Sequence, residues 1–509
     1  MKFLMRVMGI KLRLAGVCLA ALLMLLGTQP AAALTLDVDS TAPDSGTLHI
    51  AAHSGSPLLL QLTLEDPRML WRSLELDTGA STLKYRLPET ETHEMVIAPF
   101  LSAGSYPVRI TLSGDEGSRS RELAVGFSDF VWGRDNFRFS NKRSSYWGIT
   151  PYSAALYPWV EKHFGRLPEE EFMLLLNTAY HIFTGRVGRC YAFSASQVLF
   201  TRHPDLLPYY YRDVYAVREY SRIMQERMNF LQNDIMFDHF ILGGYDVSRP
   251  QLLAELQAEI EGIMRGVDKG EFVPVGYWNA ERHHSMLIYG YIYDPGSGKV
   301  TLIAANNWGT EHDENLVSEA AELIDVNLQE SFEGQRVTWI DPPYANYDHA
   351  DHFFAVEVKE SFEFSPDAIA QLIAAEQQRL AEGRLSMIII EEAKEALLTG
   401  ADGAGTGTVG GKVLEELPGV NFRQVSDTLI FEFPTDADYR LSFTPLNSGD
   451  GDEQFETDCR VYVLAYAGGG EESIRESAFF TPDEITEDRE YRLEWDADRI
   501  MLVIPEELE

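Results

Sequence analysis

Residues 188–194 read Gly-Arg-Cys-Tyr-Ala-Phe-Ser, and this stretch is the most informative one for fold and function. A mostly apolar run over residues 190–200 follows, and a glycine-containing loop precedes it. The pattern predicts a helix that begins at Cys190. Backbone N–H groups at a helix start favour an anion, so we expect a lowered thiol pKa there. Cys190 is therefore a candidate nucleophile.

Two downstream segments contain the partners that such a nucleophile needs. His284 begins an apolar run, and residues 306–309 read Asn-Asn-Trp-Gly at the end of the next one. The turn residues 294–298 between them predict an antiparallel hairpin with His284 and Asn306 at the same end. A base and a group that orients it could thus meet a thiol. Taken singly, these residues also suit a buried cysteine, a core histidine and a turn asparagine.

These three segments, in this order, resemble the papain-like cysteine peptidases. Members of that family carry Cys-Gly-Ser-Cys-Trp-Ala-Phe at the nucleophile, His-Ala-Val followed by Gly-Tyr at the base, and Asn-Ser-Trp-Gly at the third group. Residues 190–193, 284–291 and 306–309 match these motifs. The resemblance implies Cys190 as nucleophile, His284 as general base and acid, Asn306 as the residue that orients it, and Trp308 as a shielding ring. It covers roughly residues 129–358 and is loose outside the motifs.

Two positions of this site have alternatives: the histidine that acts as base and the residue that serves as oxyanion donor. Neighbouring residues of a strand point to opposite faces, so only one of His283 and His284 can face Cys190; the spacing to Gly290 favours His284. The family has a glutamine six residues before the nucleophile as an oxyanion donor, and this chain has Thr184. Loss of one such donor costs roughly 10²–10³ in rate. Thr184 itself, Asn177 or His181 were the candidate substitutes.

The function predicted from these motifs is an exported papain-like thiol hydrolase, a peptidase that acts on protein or peptide substrates and needs no cofactor and no metal. Two alternatives stay open. A degenerate, non-catalytic papain-like binding protein of the envelope or secretome would explain Thr184. A transglutaminase-like or amidase-like thiol acyltransferase would use a similar Cys-His pair, although those families generally have an aspartate as the third residue.

The predicted fold class is α+β, with a central papain-like domain flanked by two all-β, sandwich-like domains. Short strand-like runs separated by turn residues predict the outer regions, and longer helical runs followed by strands predict the central one. The predicted division is a signal peptide (1–33), an N-terminal β-sandwich (34–128), the papain-like domain (129–360), a helical linker (361–384) and a C-terminal β domain (385–509).

The first 33 residues have the layout of an export signal, with basic residues, an apolar run and Ala-Ala-Ala at 31–33. We therefore expect a periplasmic or extracellular protein without stable membrane insertion. The segment holds four Lys and Arg and no acidic residue, so its removal would take the formal charge from −37 to −41. Such a charge disfavours nucleic acid as a partner. The flanking β domains could bind a partner that the sequence does not identify.

The remaining signals are weaker. Beyond the signal segment the chain has two cysteines, too few for a disulfide framework. Cys459 fits a buried strand residue. Residues 348–352, Asp-His-Ala-Asp-His, have metal-ligand side chains but no zinc spacing, which favours a solvated loop. Residues 450–453, Asp-Gly-Asp-Glu, suit an acidic turn better than a calcium loop, although calcium stays open.

Overall fold

The structure of the protein is a computed structural model. It describes residues 35–37, 47–53, 58–65, 71–79, 82–86, 92–100, 103–114, 117–139, 152–182, 189–207, 211–217, 222–245, 249–279, 283–306, 322–329, 336–340, 348–425, 428–434, 439–446, 459–466, 474–480, 491–496 and 499–503. The predicted signal segment lies outside these residues. Among the helices described, none combines the length and apolar character needed to cross a membrane.

The molecule is α+β, and its sheets are antiparallel. The helices are α1 Tyr152–Phe164, α2 Glu169–Ile182, α3 Cys190–Arg202, α4 Arg222–Ile235, α5 Leu253–Asp268 and α6 Pro366–Gly383. A 3₁₀ turn, Pro204–Leu206, follows α3, and a π-helical turn, Met236–Ile241, continues α4. The strands are β1 Thr35–Asp37, β2 Thr47–His53, β3 Leu58–Glu65, β4 Trp71–Asp77, β5 Thr82–Arg86, β6 Thr92–Phe100, β7 Gly104–Gly114, β8 Gly117–Phe127, β9 Val273–Trp278, β10 His283–Asp294, β11 Lys299–Ala305, β12 Glu322–Asn327, β13 Val337–Ile340, β14 His349–Ala350, β15 His352–Ala355, β16 Leu385–Glu391, β17 Ala393–Gly400, β18 Gly405–Val409, β19 Lys412–Glu415, β20 Asn421–Val425, β21 Thr428–Pro434, β22 Tyr439–Pro445, β23 Arg460–Tyr466, β24 Ile474–Phe480, β25 Tyr491–Asp496 and β26 Arg499–Val503.

The N-terminal strands divide between two sheets. Strands β1, β2, β3 and β6 form a sheet of four, whereas β4, β5, β7 and β8 belong to the large central sheet. These N-terminal strands join the rest of the central sheet through the pairing of β8 with β10, which runs from Gly290 opposite Phe127 to Tyr293 opposite Ala124. The predicted boundary at residue 128 therefore lies between strands of one continuous sheet. The domain division itself stays a prediction.

The central sheet separates two apolar layers. Helix α5 packs on one face through buried residues such as Leu256 and Ile260, against Tyr277 and Ile288 of the sheet. On the other side, helices α1 to α4 contribute to a second cluster that also contains Phe354. This cluster continues into Met387, Ile389 and Ile430 of the C-terminal strands. The helical layer thus lies between the central sheet and the C-terminal region.

The C-terminal strands form two packed sheets. Their orders are β20-β21-β16-β23-β24 and β19-β18-β17-β22-β25-β26. Side chains alternate along β16: Ile388 and Ile390 face the second sheet, and Met387 and Ile389 face the helices. Alternation on a pleated strand explains this two-sided burial. Cys459 is fully buried between the sheets, as its strand-like surroundings predicted.

Two buried carboxylates connect this C-terminal region to the helices. Glu391 accepts hydrogen bonds from the Ser153 backbone N–H at the start of α1 (2.9 Å), from the Ser153 hydroxyl and from the Tyr180 hydroxyl (2.5 Å). A carboxylate at a helix N-terminus satisfies free N–H groups and complements the helix dipole. A residue 238 positions away along the chain thereby fixes the start of α1.

The second carboxylate, Glu432, lies in a denser polar cluster. It accepts from Arg379 (2.5 Å), from Asn177 (3.0 Å) and contacts His181 (3.2 Å). Arg379 also binds Glu376 on its own helix (2.7 Å). The cluster joins α2, α6 and β21, and α2 leads toward the segment that precedes Cys190.

Close packing at Gly276 gives a first testable prediction. A Cβ atom there would overlap the ring of Phe354 and lie 3.0 Å from the ring of Tyr191, the residue after Cys190. Both rings are fully buried, so neither can move cheaply. Gly276→Ala is expected to lower the free energy of unfolding by about 1–3 kcal/mol in urea denaturation.

The matched control is Gly262→Ala in the middle of α5. A Cβ at that position comes no closer than 3.8 Å to the end of the Arg265 side chain. Alanine is favoured over glycine inside a helix, so this variant should gain roughly 0.5–1 kcal/mol. Equal effects of the two substitutions would contradict the packing described around Gly276.

Candidate active site

Cys190 is the first residue of α3, where the sequence predicted the helix to begin. The helical hydrogen bonds start immediately, with the Phe193 N–H donating to the Arg189 carbonyl (2.9 Å). A further first-turn donor, the Ala192 N–H, is bound by the side-chain carbonyl of Gln232 in α4 (3.0 Å). Helix α3 packs across β9 and β10. The cysteine thus lies at the junction of the helical layer and the central sheet.

The thiol of Cys190 is buried, and this changes the electrostatic expectation. Burial raises the thiol pKa to about 12, although the backbone N–H groups of Ser285, Tyr191 and Cys190 itself lower it. The expected helix-terminus effect is therefore present but smaller than the cost of desolvating a thiolate. The pKa of the Cys190 thiol is therefore raised, whereas the sequence predicted that it would be lowered. The contribution of Ser285 also places the sulfur beside the residue that directly follows His284.

His284 and Asn306 meet at the end of the predicted hairpin. Strands β10 and β11 pair from Leu287 opposite Ala305 to Asp294 opposite Lys299. At the open end, Nε2 of His284 lies 2.8 Å from Oδ1 of Asn306, and the histidine is fully buried. An amide oxygen only accepts, so this contact requires the proton of neutral His284 on Nε2. Nδ1 is then the ring nitrogen that can take a proton from another group.

The neighbouring His283 occupies a different environment. Its ring stacks on Trp278 at a centroid distance of 4.8 Å and lies 6.4 Å from Tyr191. Neither ring nitrogen has a hydrogen-bond partner among the described residues, and burial lowers the pKa to about 4. His283 is a neutral core residue on the opposite face of the strand from His284, and the choice of His284 as the base stays a prediction.

The other predicted site positions are only partly accounted for. Thr184 and Trp308 lie outside the described residues. The two alternative oxyanion donors are bound elsewhere: both N–H groups of the Asn177 amide donate, to Glu376 (2.7 Å) and Glu432 (3.0 Å), and His181 contacts Glu432. Asn177 and His181 therefore act in the polar cluster, contrary to the suggestion that either replaces the glutamine.

Two residues at this site were missed by the sequence analysis. Glu322, the first residue of β12, accepts a hydrogen bond from Nδ2 of Asn306 (2.5 Å). Gln232 binds the first turn of α3, as described above. Neither belongs to a motif, since each reaches the site through the pairing of distant elements. The alternation of Glu-Leu-Ile-Asp-Val-Asn over 322–327 was the available signal for β12.

The weaker metal signals do not gather into one site. His349 contacts Asp348 (2.6 Å) and lies 4.0 Å from Asp351, with both carboxylates exposed. Of the described residues, the group that does gather as potential ligands is His181, Glu376 and Glu432. Arg379 already forms ion pairs with both of those carboxylates. The acidic residues 450–453 lie outside the described residues.

Comparison of the sequence with models of known protein families and with curated proteins gives no match. The resemblance to papain-like peptidases therefore rests on the three motifs.

Proposed function

We propose that the protein is an exported papain-like thiol hydrolase that cleaves amide bonds in proteins or peptides. The observation that carries this proposal is the 2.8 Å contact between Nε2 of His284 and Oδ1 of Asn306, next to Ser285, whose backbone N–H lowers the pKa of the Cys190 thiol. Residues of two of the three motifs, His284 and Asn306, are thereby in contact, and the approach of Cys190 to His284 belongs to the proposal. Papain-like identity, export and the flanking role of the β domains belong to this proposal.

The proposed chemistry is that of a nucleophile with a general base. The Cys190 sulfur attacks the substrate carbonyl carbon, and its proton passes to Nδ1 of His284. The imidazolium then protonates the leaving amine as the C–N bond breaks, which leaves a thioester on Cys190. Water attacks the thioester with His284 as base, and release of the acid regenerates the thiol. Asn306 holds the ring throughout by accepting from Nε2–H.

Because the Cys190 thiol is buried, we propose that it loses its proton only during the attack on the substrate. With a pKa of about 12, Cys190 is neutral in this state at physiological pH. The thiolate therefore forms together with the imidazolium, at the moment of attack, and does not exist beforehand as a free anion. Charge separation is favoured only if His284 accepts the proton.

This dependence gives the testing experiment. The full chain is treated with iodoacetamide and with an epoxide between about pH 5 and 9, a range that includes ordinary histidine and thiol titrations. Labelling of Cys190 is expected to be fast near neutral pH and to fall by about 10²–10⁴ in His284→Ala, the usual contribution of a positioned base. Mass spectrometry of the labelled peptide identifies the cysteine.

Cys459 provides the internal control. It is fully buried in the C-terminal sandwich, and burial raises its pKa above the ordinary thiol value. Cys459→Ala should leave labelling unchanged, and Cys190→Ala should abolish it. Slow labelling that follows an ordinary thiol titration near about pH 8.5, with no effect of His284→Ala, would sink the hydrolase proposal.

A second function is favoured by two specific observations. The raised pKa of Cys190 and the threonine at position 184 both suit a papain-like scaffold that binds a peptide without cutting it. Slow labelling with retained affinity for unfolded polypeptide would support this binding protein over the hydrolase.

A further inference from the structure

A chain of three side chains runs from the site into the central sheet. Nε2 of His284 contacts Oδ1 of Asn306 (2.8 Å), and Nδ2 of Asn306 donates to Oε1 of Glu322 (2.5 Å). These residues come from the adjacent strands β10, the end of β11, and β12. The pairing of Ala304 with Glu322 sets the geometry, because Asn306 lies two residues beyond Ala304 on the same side of the sheet.

The order of donors and acceptors in this series of hydrogen bonds follows from which of the groups can donate. The oxygen of Glu322 that faces Asn306 accepts, so the amide must turn its NH₂ group toward Glu322. Its carbonyl oxygen then faces His284. With the amide reversed, its oxygen would face the Glu322 carboxylate without a hydrogen bond, and its NH₂ group would require His284 to carry its proton on Nδ1. Glu322 therefore decides which face of Asn306 meets the imidazole.

The carboxyl of Glu322 lies in a low-dielectric environment. Burial raises its pKa to about 7, and the hydrogen bond from Asn306 and the nearby Trp339 indole lower it against that trend. Its Oε2 atom is buried even though the residue as a whole is partly exposed. The groups described around it are Asn306 from the end of β11, the Trp339 indole from β13 and, beyond Asn306, His284 from β10. On its own strand, Asp325 pairs separately with Lys299 (2.5 Å).

We propose that Glu322 is a positioning residue of this site: its carboxyl group orients the Asn306 amide, and the amide in turn fixes His284 with its proton on Nε2. This inference rests on the proposed function for its catalytic meaning, but the hydrogen-bond order stands without it. Glu322 touches neither the thiol nor a substrate; it acts through Asn306. In its ionised form it also strengthens the amide's hydrogen bond and favours the imidazolium.

The first measurement is the rate of Cys190 alkylation in Glu322→Ala, Asn306→Ala and the double variant. Each single variant is expected to lose about 10²-fold, the usual effect of misplacing a reacting group by about 1 Å. The double variant should be no slower than Asn306→Ala, because Glu322 acts through the amide. Glu322→Gln keeps an accepting oxygen, so it should remain within about threefold of the wild type.

The second measurement is independent of catalysis. Nitrogen-15 NMR of histidine-labelled full chain should show His284 protonated on Nε2 in the wild type and in Glu322→Gln, and a mixture of tautomers in Glu322→Ala. Asp325→Ala removes an acid three residues along the same strand and serves as the matched control. It should change neither the tautomer nor the labelling rate.

The outcomes separate the two proposals. Labelling of wild-type Cys190 that ignores His284→Ala would overturn the proposed function, and a tautomer that still depends on Glu322 would leave the positioning role intact. An unchanged tautomer in folded Glu322→Ala, or additive losses in the double variant, would overturn the positioning role. If Glu322→Ala does not fold, the same decision rests on Glu322→Gln, which keeps the accepting oxygen: a mixture of His284 tautomers in this variant counts against the proposal.

Discussion

Cys190→Ala is expected to abolish hydrolysis of an unfolded, fluorescently labelled protein substrate, with a loss of about 10⁶ in turnover rate. This is the magnitude seen when one member of a nucleophile–base unit is removed, because the remaining members cannot carry out the covalent step alone. His284→Ala should lose nearly as much. The Cys190→Ala/His284→Ala variant should be no slower than either single variant, since both residues act in the same step.

The two cysteines make this test self-controlled. Cys459 lies between the C-terminal sheets and not at the junction that holds Cys190. Cys459→Ala should therefore retain wild-type turnover, apart from any loss of folded protein. Substrate hydrolysis that persists in Cys190→Ala would point to a contaminating enzyme or to different chemistry. Cys190 would then not be the nucleophile.

Glu432→Gln is expected to have the largest effect on stability, with a loss of about 3 kcal/mol in the free energy of unfolding. The carboxylate is only 1% exposed and binds Arg379, Asn177 and His181. A glutamine removes the charge and presents NH₂ hydrogens to groups that donate. Breaking a buried ion pair costs about 3–5 kcal/mol, and the lower end applies because Arg379 is 39% exposed and can be hydrated.

The same carboxylate predicts a pH dependence with a definite sign. Burial alone would raise the pKa of Glu432, but hydrogen bonds from His181, Arg379 and Asn177 outweigh it and hold the pKa well below its usual range. A lowered carboxyl pKa stabilises the fold above the unfolded value of about 4.3, and this contribution is lost as the pH falls below it. The stability difference between wild type and Glu432→Gln should therefore shrink from pH 7 to pH 3.

Urea denaturation at several pH values measures this difference, with Glu415→Gln as the control. Glu415 is an exposed residue of β19 in the same C-terminal region. Its substitution should change the unfolding free energy by less than about 0.5 kcal/mol. A Glu432→Gln protein as stable as the control at pH 7 would mean that the polar cluster does not hold the C-terminal sheets on the helices.

Local patterns predicted several elements well. The helix predicted to begin at Cys190 does begin there. The pattern over residues 214–233 predicts a further helix, but residues 214–217 are not helical and α4 begins at Arg222. Helix α1 was not predicted at all. Its start depends on the carboxylate of Glu391, which no local pattern near residue 152 reveals.

The sequence by itself determined the α+β class, the start of α3 at Cys190 and the hairpin that carries His284 and Asn306, because apolar periodicity and turn residues act over short distances. It also singled out the three candidate residues, whose roles stay predictions. Strands β4, β5, β7 and β8 joined the central sheet, burial raised the pKa of Cys190, and Glu322 came to lie behind Asn306 only through tertiary structure. Strand pairing and desolvation depend on residues far apart in the chain, and a local pattern contains no information about either.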